Sequence, residues 1–130
     1  MWKPLIAAVM LATPALADET WTTEYGTAYW DTDVEGQAIF SMPSDTGTNV
    51  RIYLPEFSTE VERGAHWGYW ILPDGGTPCE SDMVGIDGVS SGNWGSVLLT
   101  FDNRDYPSSW TAVFGACFEE LEHGVRAVAE

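Results

Sequence analysis

Short runs of alternating residue types, separated by turn-forming residues, are the feature that most limits how this chain can fold. Val50, Ile52 and Leu54 alternate with more polar neighbours, and Pro55 ends the run. A period of two places successive side chains on opposite faces of a β-strand. The sequence therefore predicts an all-β fold, an antiparallel β-sandwich or small barrel of about seven short strands. The predicted strands are residues 21–30, 37–42, 50–54, 64–72, 96–101, 110–119 and 125–129.

Two segments depart from this pattern. The composition of residues 58–63 predicts a single helical turn capped by Ser58. The glycine-rich segment 73–95 has neither a helical nor a strand period, so we expect an irregular loop there. A loop of this length is usually functional or mobile.

The chain begins like an exported protein. Lys3 supplies a positive start, residues 5–12 form an apolar run, and Ala15-Leu16-Ala17 has the small-x-small pattern of a peptidase cleavage site. The apolar run is too short to span a bilayer. Residues 1–17 are therefore predicted to be a signal peptide that is removed, which leaves residues 18–130 as a single β domain that is not inserted in a membrane. The predicted location is periplasmic or secreted.

Two cysteines, Cys79 and Cys117, lie in the predicted mature chain. An even number of cysteines in an exported protein predicts a disulfide. The alternative readings are a redox pair or a metal site. The sequence has neither the C-x-x-C spacing typical of a redox pair nor the nearby cluster of histidines typical of a metal site.

The charge is strongly negative. The whole chain has a formal charge of −15, and loss of Lys3 with the signal peptide makes the remainder more negative still. Such a protein is repelled by nucleic acid and by anionic membrane surfaces. Its electrostatic partners are metal ions, other cations or basic proteins. The alternative is that the charge serves solubility alone.

An acidic segment resembles the start of a calcium loop. Asp31, Asp33 and Glu35 alternate before Gly36, which is the spacing of carboxylates that can wrap around one hard cation. The twelfth position of the loop is Met42, where calcium loops of this type carry a glutamate. Two interpretations stay open, a weak calcium site and an acidic hairpin turn, and no other cofactor is predicted.

Tryptophans are the second candidate for a binding surface. Aromatic rings on a sheet face stack on sugars or anchor a protein partner. Trp67 and Trp110 alternate with apolar residues and are predicted to lie in the core. Trp30, Trp70 and Trp94 are predicted binding residues, and Trp94, in a glycine-rich loop, is expected to be partly exposed.

Ser91, Gly92, Asn93 and Trp94 form a short motif of their own. It resembles the Ser-Gly-x-x-Tyr loop of periplasmic lysozyme inhibitors, small exported β proteins that insert this loop into the lysozyme cleft. Gly95 stands at the tyrosine position, and the aromatic residue comes one position early. The resemblance implies a basic protein partner, which agrees with the acidic composition.

Catalytic patterns are sparse. His66 and His123 are the two histidines, and the chain has neither a G-x-S-x-G nor an H-E-x-x-H motif. Cys117 as a nucleophile conflicts with the predicted disulfide. The sequence thus favours a non-catalytic protein-binding or inhibitor-like module for a basic partner. The alternatives are a carbohydrate- or cell-wall-binding module and, less favoured, a small secreted hydrolase.

Overall fold

A computed structural model describes residues 19–58 and 61–130 of the chain. The predicted signal peptide lies outside the described residues. Within them the fold is all-β, and no helix is present. The ten strands are β1 (Thr20–Thr23), β2 (Gly26–Val34), β3 (Gln37–Pro43), β4 (Asn49–Leu54), β5 (Ala65–Ile71), β6 (Met83–Val84), β7 (Ser90–Ser91), β8 (Trp94–Phe101), β9 (Trp110–Phe114) and β10 (His123–Ala129).

Eight of these strands close into an antiparallel barrel. The order around the barrel is β1-β10-β9-β8-β5-β4-β3-β2, so every strand pairs with its neighbours along the chain except where β6 and β7 intervene. Closure comes from the pairing of the two ends of the chain, with Trp21 opposite Ala129. A closed barrel leaves no unpaired sheet edge among these eight strands.

The barrel interior is filled unevenly along its axis. One end, which we call the plugged end, contains the large rings of Trp21, Phe57, Phe101 and Trp110, all buried. Trp21 and Trp110 meet edge to face with their centroids 5.6 Å apart, and Phe57 and Phe101 are 5.3 Å apart. The side chains toward the other end include the smaller Met42, Val50 and Val125. Two larger rings at that second end, Trp70 and Phe114, are only partly buried.

A buried ion pair closes the plugged end. The guanidinium of Arg63 donates hydrogen bonds of 2.6 and 2.9 Å to the carboxylate of Glu19 and one of 3.2 Å to Ser108. The same guanidinium lies over the rings of Phe101 and Tyr106. Its burial is tolerated because the charge is paired and its hydrogen bonds are made within the protein.

A segment between β5 and β8, residues 72–93, folds back over the outside of the barrel; we call it the insertion. Its strands β6 and β7 form a small hairpin. It covers the outward-facing Ile39, Tyr53 and Ile71, which together with Cys79 and Trp94 make a second buried apolar cluster. The protein thus has one core inside the barrel and another between the barrel wall and the insertion.

The structure confirms the all-β class and shows that the sheet closes into a barrel. The predicted disulfide between Cys79 and Cys117 is present.

The expected strand count was low because residues 21–30 contain parts of two strands, β1 and β2, joined by a turn at residues 24–25. Residues 110–119 form a strand only as far as Phe114. The described residues of segment 58–63 form no helix, and segment 73–95 contains the β6–β7 hairpin and the start of β8. Residues 59–60 lie outside the described residues.

Across residues 19–58 and 61–130, no helix has the length and apolar character needed to cross a membrane.

Candidate functional site

The end of the barrel opposite the plugged end is open, and we call it the mouth. It is where β5 and β9 end and β10 begins, and the insertion starts there. The turns at residues 24–25 and 44–48 and the connection at residues 115–122 surround it. The candidate functional features of the molecule are concentrated at this end.

The connection between β9 and β10, residues 115–122, is the acidic loop. Backbone hydrogen bonds hold both of its ends, from the amide of Gly115 to the carbonyl of Ser96 and from the amide of Glu122 to the carbonyl of Phe114, each 2.9 Å. The amide of Cys117 donates a 2.7 Å bond to Trp94, and the Cys117 side chain is bonded to Cys79 in the insertion. The loop is therefore fixed to two separate parts of the fold.

Phe118 projects from this loop into solvent. Its side chain is 89% exposed, the highest value among the large hydrophobic side chains of the described residues. Its ring packs against that of Trp94, with centroids 5.0 Å apart in a T-shaped arrangement. Glu119, Glu120 and Glu122 follow it and are all exposed. The loop thus presents a supported aromatic ring surrounded by negative charge.

The arginines do not offset this negative charge at the surface, because each is paired with a carboxylate. Arg51 contacts Asp31 and Asp87, Arg126 contacts Asp102, and Arg104 is 3.6 Å from Glu62. Arg63 is buried with Glu19. None of these pairs includes an acid of the acidic loop.

A cavity of about 290 Å³ opens at the mouth. Its wall is mostly apolar, and Trp70 and Phe114 contribute its aromatic part, with their rings 6.4 Å apart and nearly perpendicular. The indole N–H of Trp70 donates a 2.9 Å hydrogen bond to the carbonyl of Gly115. This bond requires glycine at position 95, where a Cβ would lie 1.8 Å from that carbonyl oxygen.

The rim of the cavity is polar and mainly neutral or acidic. The Tyr25 hydroxyl lies 3.0 Å from Nε2 of His123, and Ser44 and Asp45 stand across from them in the cavity lining. Desolvation, together with the charges of Glu24 and Asp45, raises the pKa of Tyr25 above its usual value. Tyr25 is therefore a neutral phenol at physiological pH, in a negative local field.

The residues of the predicted binding motif Ser91–Trp94 make hydrogen bonds within the protein. The Ser91 hydroxyl donates to the carbonyl of Leu72 at 2.8 Å, and the Asn93 side-chain amide donates to the carbonyl of Gly75 at 3.0 Å. Gly92 is buried. Trp94 is 3% exposed and donates its indole N–H to Ser81, so the expectation of partial exposure is wrong. A role of these four residues in binding stays a prediction, and their contacts fasten the insertion.

The tryptophans do not form an exposed platform. Trp30 is 2% exposed, and Trp70 is partly buried and points into the barrel. The assignment of Trp67 to the core is wrong, because its ring is 61% exposed on the outer face of β5. The insertion covers the neighbouring outward positions Tyr69 and Ile71, and Trp67 lies outside that covered cluster.

The acidic segment 31–36 consists of the last residues of β2 and the two-residue hairpin turn, Glu35 and Gly36, that leads into β3. Glu35 and Gly36 both have positive φ, 51° and 82°, as a two-residue hairpin turn of this hand requires. Asp31 pairs with Arg51, and Asp33 accepts the indole N–H of Trp30 at 2.8 Å. Among the described residues, no three or more His, Cys, Asp or Glu side chains form a group suited to hold a metal ion. Calcium binding by Asp31, Asp33 and Glu35 stays a prediction.

The two histidines lie at opposite ends of the barrel and do not share a site. His66 Nε2 lies 3.2 Å from the carbonyl of Glu62, and its ring packs on Phe57. His123 contacts Tyr25 at the mouth. Within the described part of the chain, neither histidine makes a hydrogen bond to the side chain of a serine or a cysteine.

Sequence reasoning missed the two features that define the mouth. The predicted strand 110–119 includes Phe118, whereas the strand ends at Phe114, and Gly115 is a local signal for that break. The cavity had no local signal, because it results from the sizes of side chains contributed by separate strands. Comparison of the chain with models of protein families, with curated proteins and with solved structures found no match.

Proposed function

We propose that this protein is an exported, non-catalytic binding module that captures a basic protein through its acidic loop. The observation that carries the proposal is Phe118, an aromatic ring 89% exposed on a loop tied down by a disulfide and followed by three exposed glutamates. Buried aromatic anchors provide much of the affinity of protein interfaces. A loop whose backbone is already held in place loses little backbone conformational entropy when it is bound.

Electrostatics supports the class of partner. All four arginines are engaged with carboxylates, and the glutamates of the acidic loop have no part in those pairs. The net negative charge therefore extends over the surface that carries Phe118. Such a field accelerates association with a basic protein and opposes association with an acidic one.

The disulfide and the N-terminal sequence support the proposed location. A disulfide is typical of proteins in an oxidising compartment. Removal of residues 1–17 during export would deliver the barrel to the periplasm or the medium, where the disulfide is stable.

The test is binding of the purified protein to a panel of basic proteins from cell envelopes and culture media, lysozymes included. We expect at least one partner whose affinity falls as salt rises. Phe118→Ala should then weaken binding by about tenfold or more, as expected for an interface anchor. Val128→Ala, which truncates another exposed apolar side chain far from the loop, should leave affinity unchanged.

A charge-matched pair of variants tests the role of the loop itself. Glu119→Gln/Glu120→Gln/Glu122→Gln removes three charges from the acidic loop, whereas Glu35→Gln/Glu56→Gln/Asp105→Asn removes three exposed charges at the plugged end. We expect the first triple variant to lose far more affinity. Equal losses would show a general effect of net charge, and full binding by Phe118→Ala would contradict the proposal.

A further inference from the structure

The mouth cavity has features of a ligand site separate from the acidic loop's exposed face. Small-molecule sites are concave, mainly apolar, and carry a few well-placed polar groups. An eight-stranded barrel is just wide enough to hold either its own side chains or one small ligand. Here the plugged end is filled by aromatic side chains and closed by Arg63 and Glu19, while the mouth is left open.

The cavity wall is already ordered without a ligand. Trp70 is held by its hydrogen bond to Gly115 and by edge contact with Phe114. The rings therefore need not rearrange to form an aromatic wall, which lowers the conformational cost of binding. The volume of about 290 Å³ is at the small end of the range for ligand sites, so it suits a compact molecule with about one ring.

The charges around the cavity favour a ligand with a positively charged group. Asp45 lines the rim, Glu24 adds to the negative field at Tyr25, and the lining residues include no lysine or arginine, their one basic side chain being His123 beside the Tyr25 hydroxyl. The face of an indole or phenyl ring also attracts a cation. A carboxylate ligand would meet repulsion at this rim, whereas an ammonium group would be attracted.

We propose that the barrel mouth binds small aromatic or aliphatic amines, with the apolar part against Trp70 and Phe114 and the ammonium group toward Asp45. The site is independent of the protein-binding role proposed for Phe118. Gly115 and Ala116 of the acidic loop line the cavity but Phe118 does not, so substitution of Phe118 should leave amine binding unchanged.

The experiment compares three probes of similar size at low ionic strength, phenethylamine, phenethyl alcohol and hydrocinnamate. Calorimetry gives the affinity, and the NMR signal of the Trp70 indole N–H reports binding at the mouth. We expect saturable binding of the amine with a shift of that signal, weaker binding of the alcohol and weakest binding of the carboxylate. No saturable binding of the amine, or tighter binding of the carboxylate, would overturn the proposal.

Two variants locate the site. Asp45→Asn, at an exposed rim position, should weaken amine binding about two- to fivefold, as for loss of an exposed ion pair, and should leave the alcohol unaffected. Asp105→Asn removes the same charge at the plugged end and is the control. Val50→Phe should fill the cavity and weaken all three probes. Equal effects of the two aspartate variants on amine binding would contradict the placement of the ammonium group.

Discussion

At the scale of single residues, Asp87 shows how one side chain holds the insertion against the barrel. Its carboxylate accepts the Tyr53 hydroxyl at 2.9 Å, the Nε of Arg51 at 2.9 Å and the amide of Val89 at 3.2 Å. Tyr53 in turn stacks on Tyr69 with centroids 4.7 Å apart. The polar groups between the two layers are thereby satisfied, which lets an apolar cluster form around them.

These contacts contribute to the acid dependence of folding. Burial raises the pKa of Asp87, but the hydrogen bonds from Tyr53 and Val89 and the charge of Arg51 outweigh it, so the pKa lies below its usual range. A carboxylate with a depressed pKa stabilises the fold above the pKa of the unfolded chain, about 4. That contribution is lost as pH falls through the lower, folded-state pKa.

We therefore predict that Asp87→Asn lowers the free energy of unfolding by about 1–3 kcal/mol at pH 7, because buried partners lose a charged acceptor. The difference from the unmodified protein should shrink as the pH falls below about 4, where protonation removes the same charge. Urea titrations at pH 7 and pH 3 measure it, with Asp105→Asn as the control. A difference of equal size at both pH values would contradict the assigned role of Asp87.

Residue types alone did not reveal which side chains would be covered. Trp67 and Trp94 are both aromatic residues in or near strands, yet the first is exposed and the second is buried. The difference depends on the insertion, which packs on Trp94 and leaves Trp67 bare. Because that contact joins parts of the chain that no local pattern links, a period of two cannot predict it.

At the scale of elements, the sequence predicted strands well where one face is inside the barrel. The alternating run at residues 50–54 became β4, and residues 37–42 became nearly all of β3. The prediction was wrong at several element ends, and in the insertion it missed the short β6–β7 hairpin. Residues 72–93 have little regular structure, and their fold depends on side-chain bonds such as that from Ser91 to Leu72 and on Cys79. Those are long-range constraints with no periodic signal.

The disulfide joins the two irregular elements, the insertion and the acidic loop. We predict that Cys79→Ser/Cys117→Ser lowers the free energy of unfolding by about 2–5 kcal/mol, the usual range for loss of a native disulfide in a small exported domain. It should also raise the rate of hydrogen exchange at the amides of Cys117 and Glu119, since their loop loses an anchor. Exchange at Val97, within the barrel wall, is the internal reference. Unchanged stability together with unchanged exchange in the loop would show that hydrogen bonds alone fix it.

At the scale of the whole molecule, charge and shape are arranged differently at the two ends. At the plugged end, a buried arginine closes the barrel. At the mouth, an open cavity lies beside the acidic loop, which carries the exposed ring of Phe118 and three exposed glutamates. Composition predicted the excess of negative charge but not its distribution. That distribution depends on which carboxylates the four arginines engage, and this is a property of the folded chain.

Because the arginines are already paired, the remaining carboxylates repel one another, and the folded state brings them closer together than the unfolded state does. Screening should relieve this repulsion. We predict that raising sodium chloride from about 10 mM to about 500 mM at pH 7 increases Tm by several degrees, and that potassium chloride acts equally. Calcium and magnesium chloride at matched ionic strength separate screening from a specific site. Equal Tm values with the two divalent ions would leave no role for a calcium site at Asp31, Asp33 and Glu35. A Tm that does not respond to any of these salts would show that repulsion among the carboxylates does not limit the stability of the barrel.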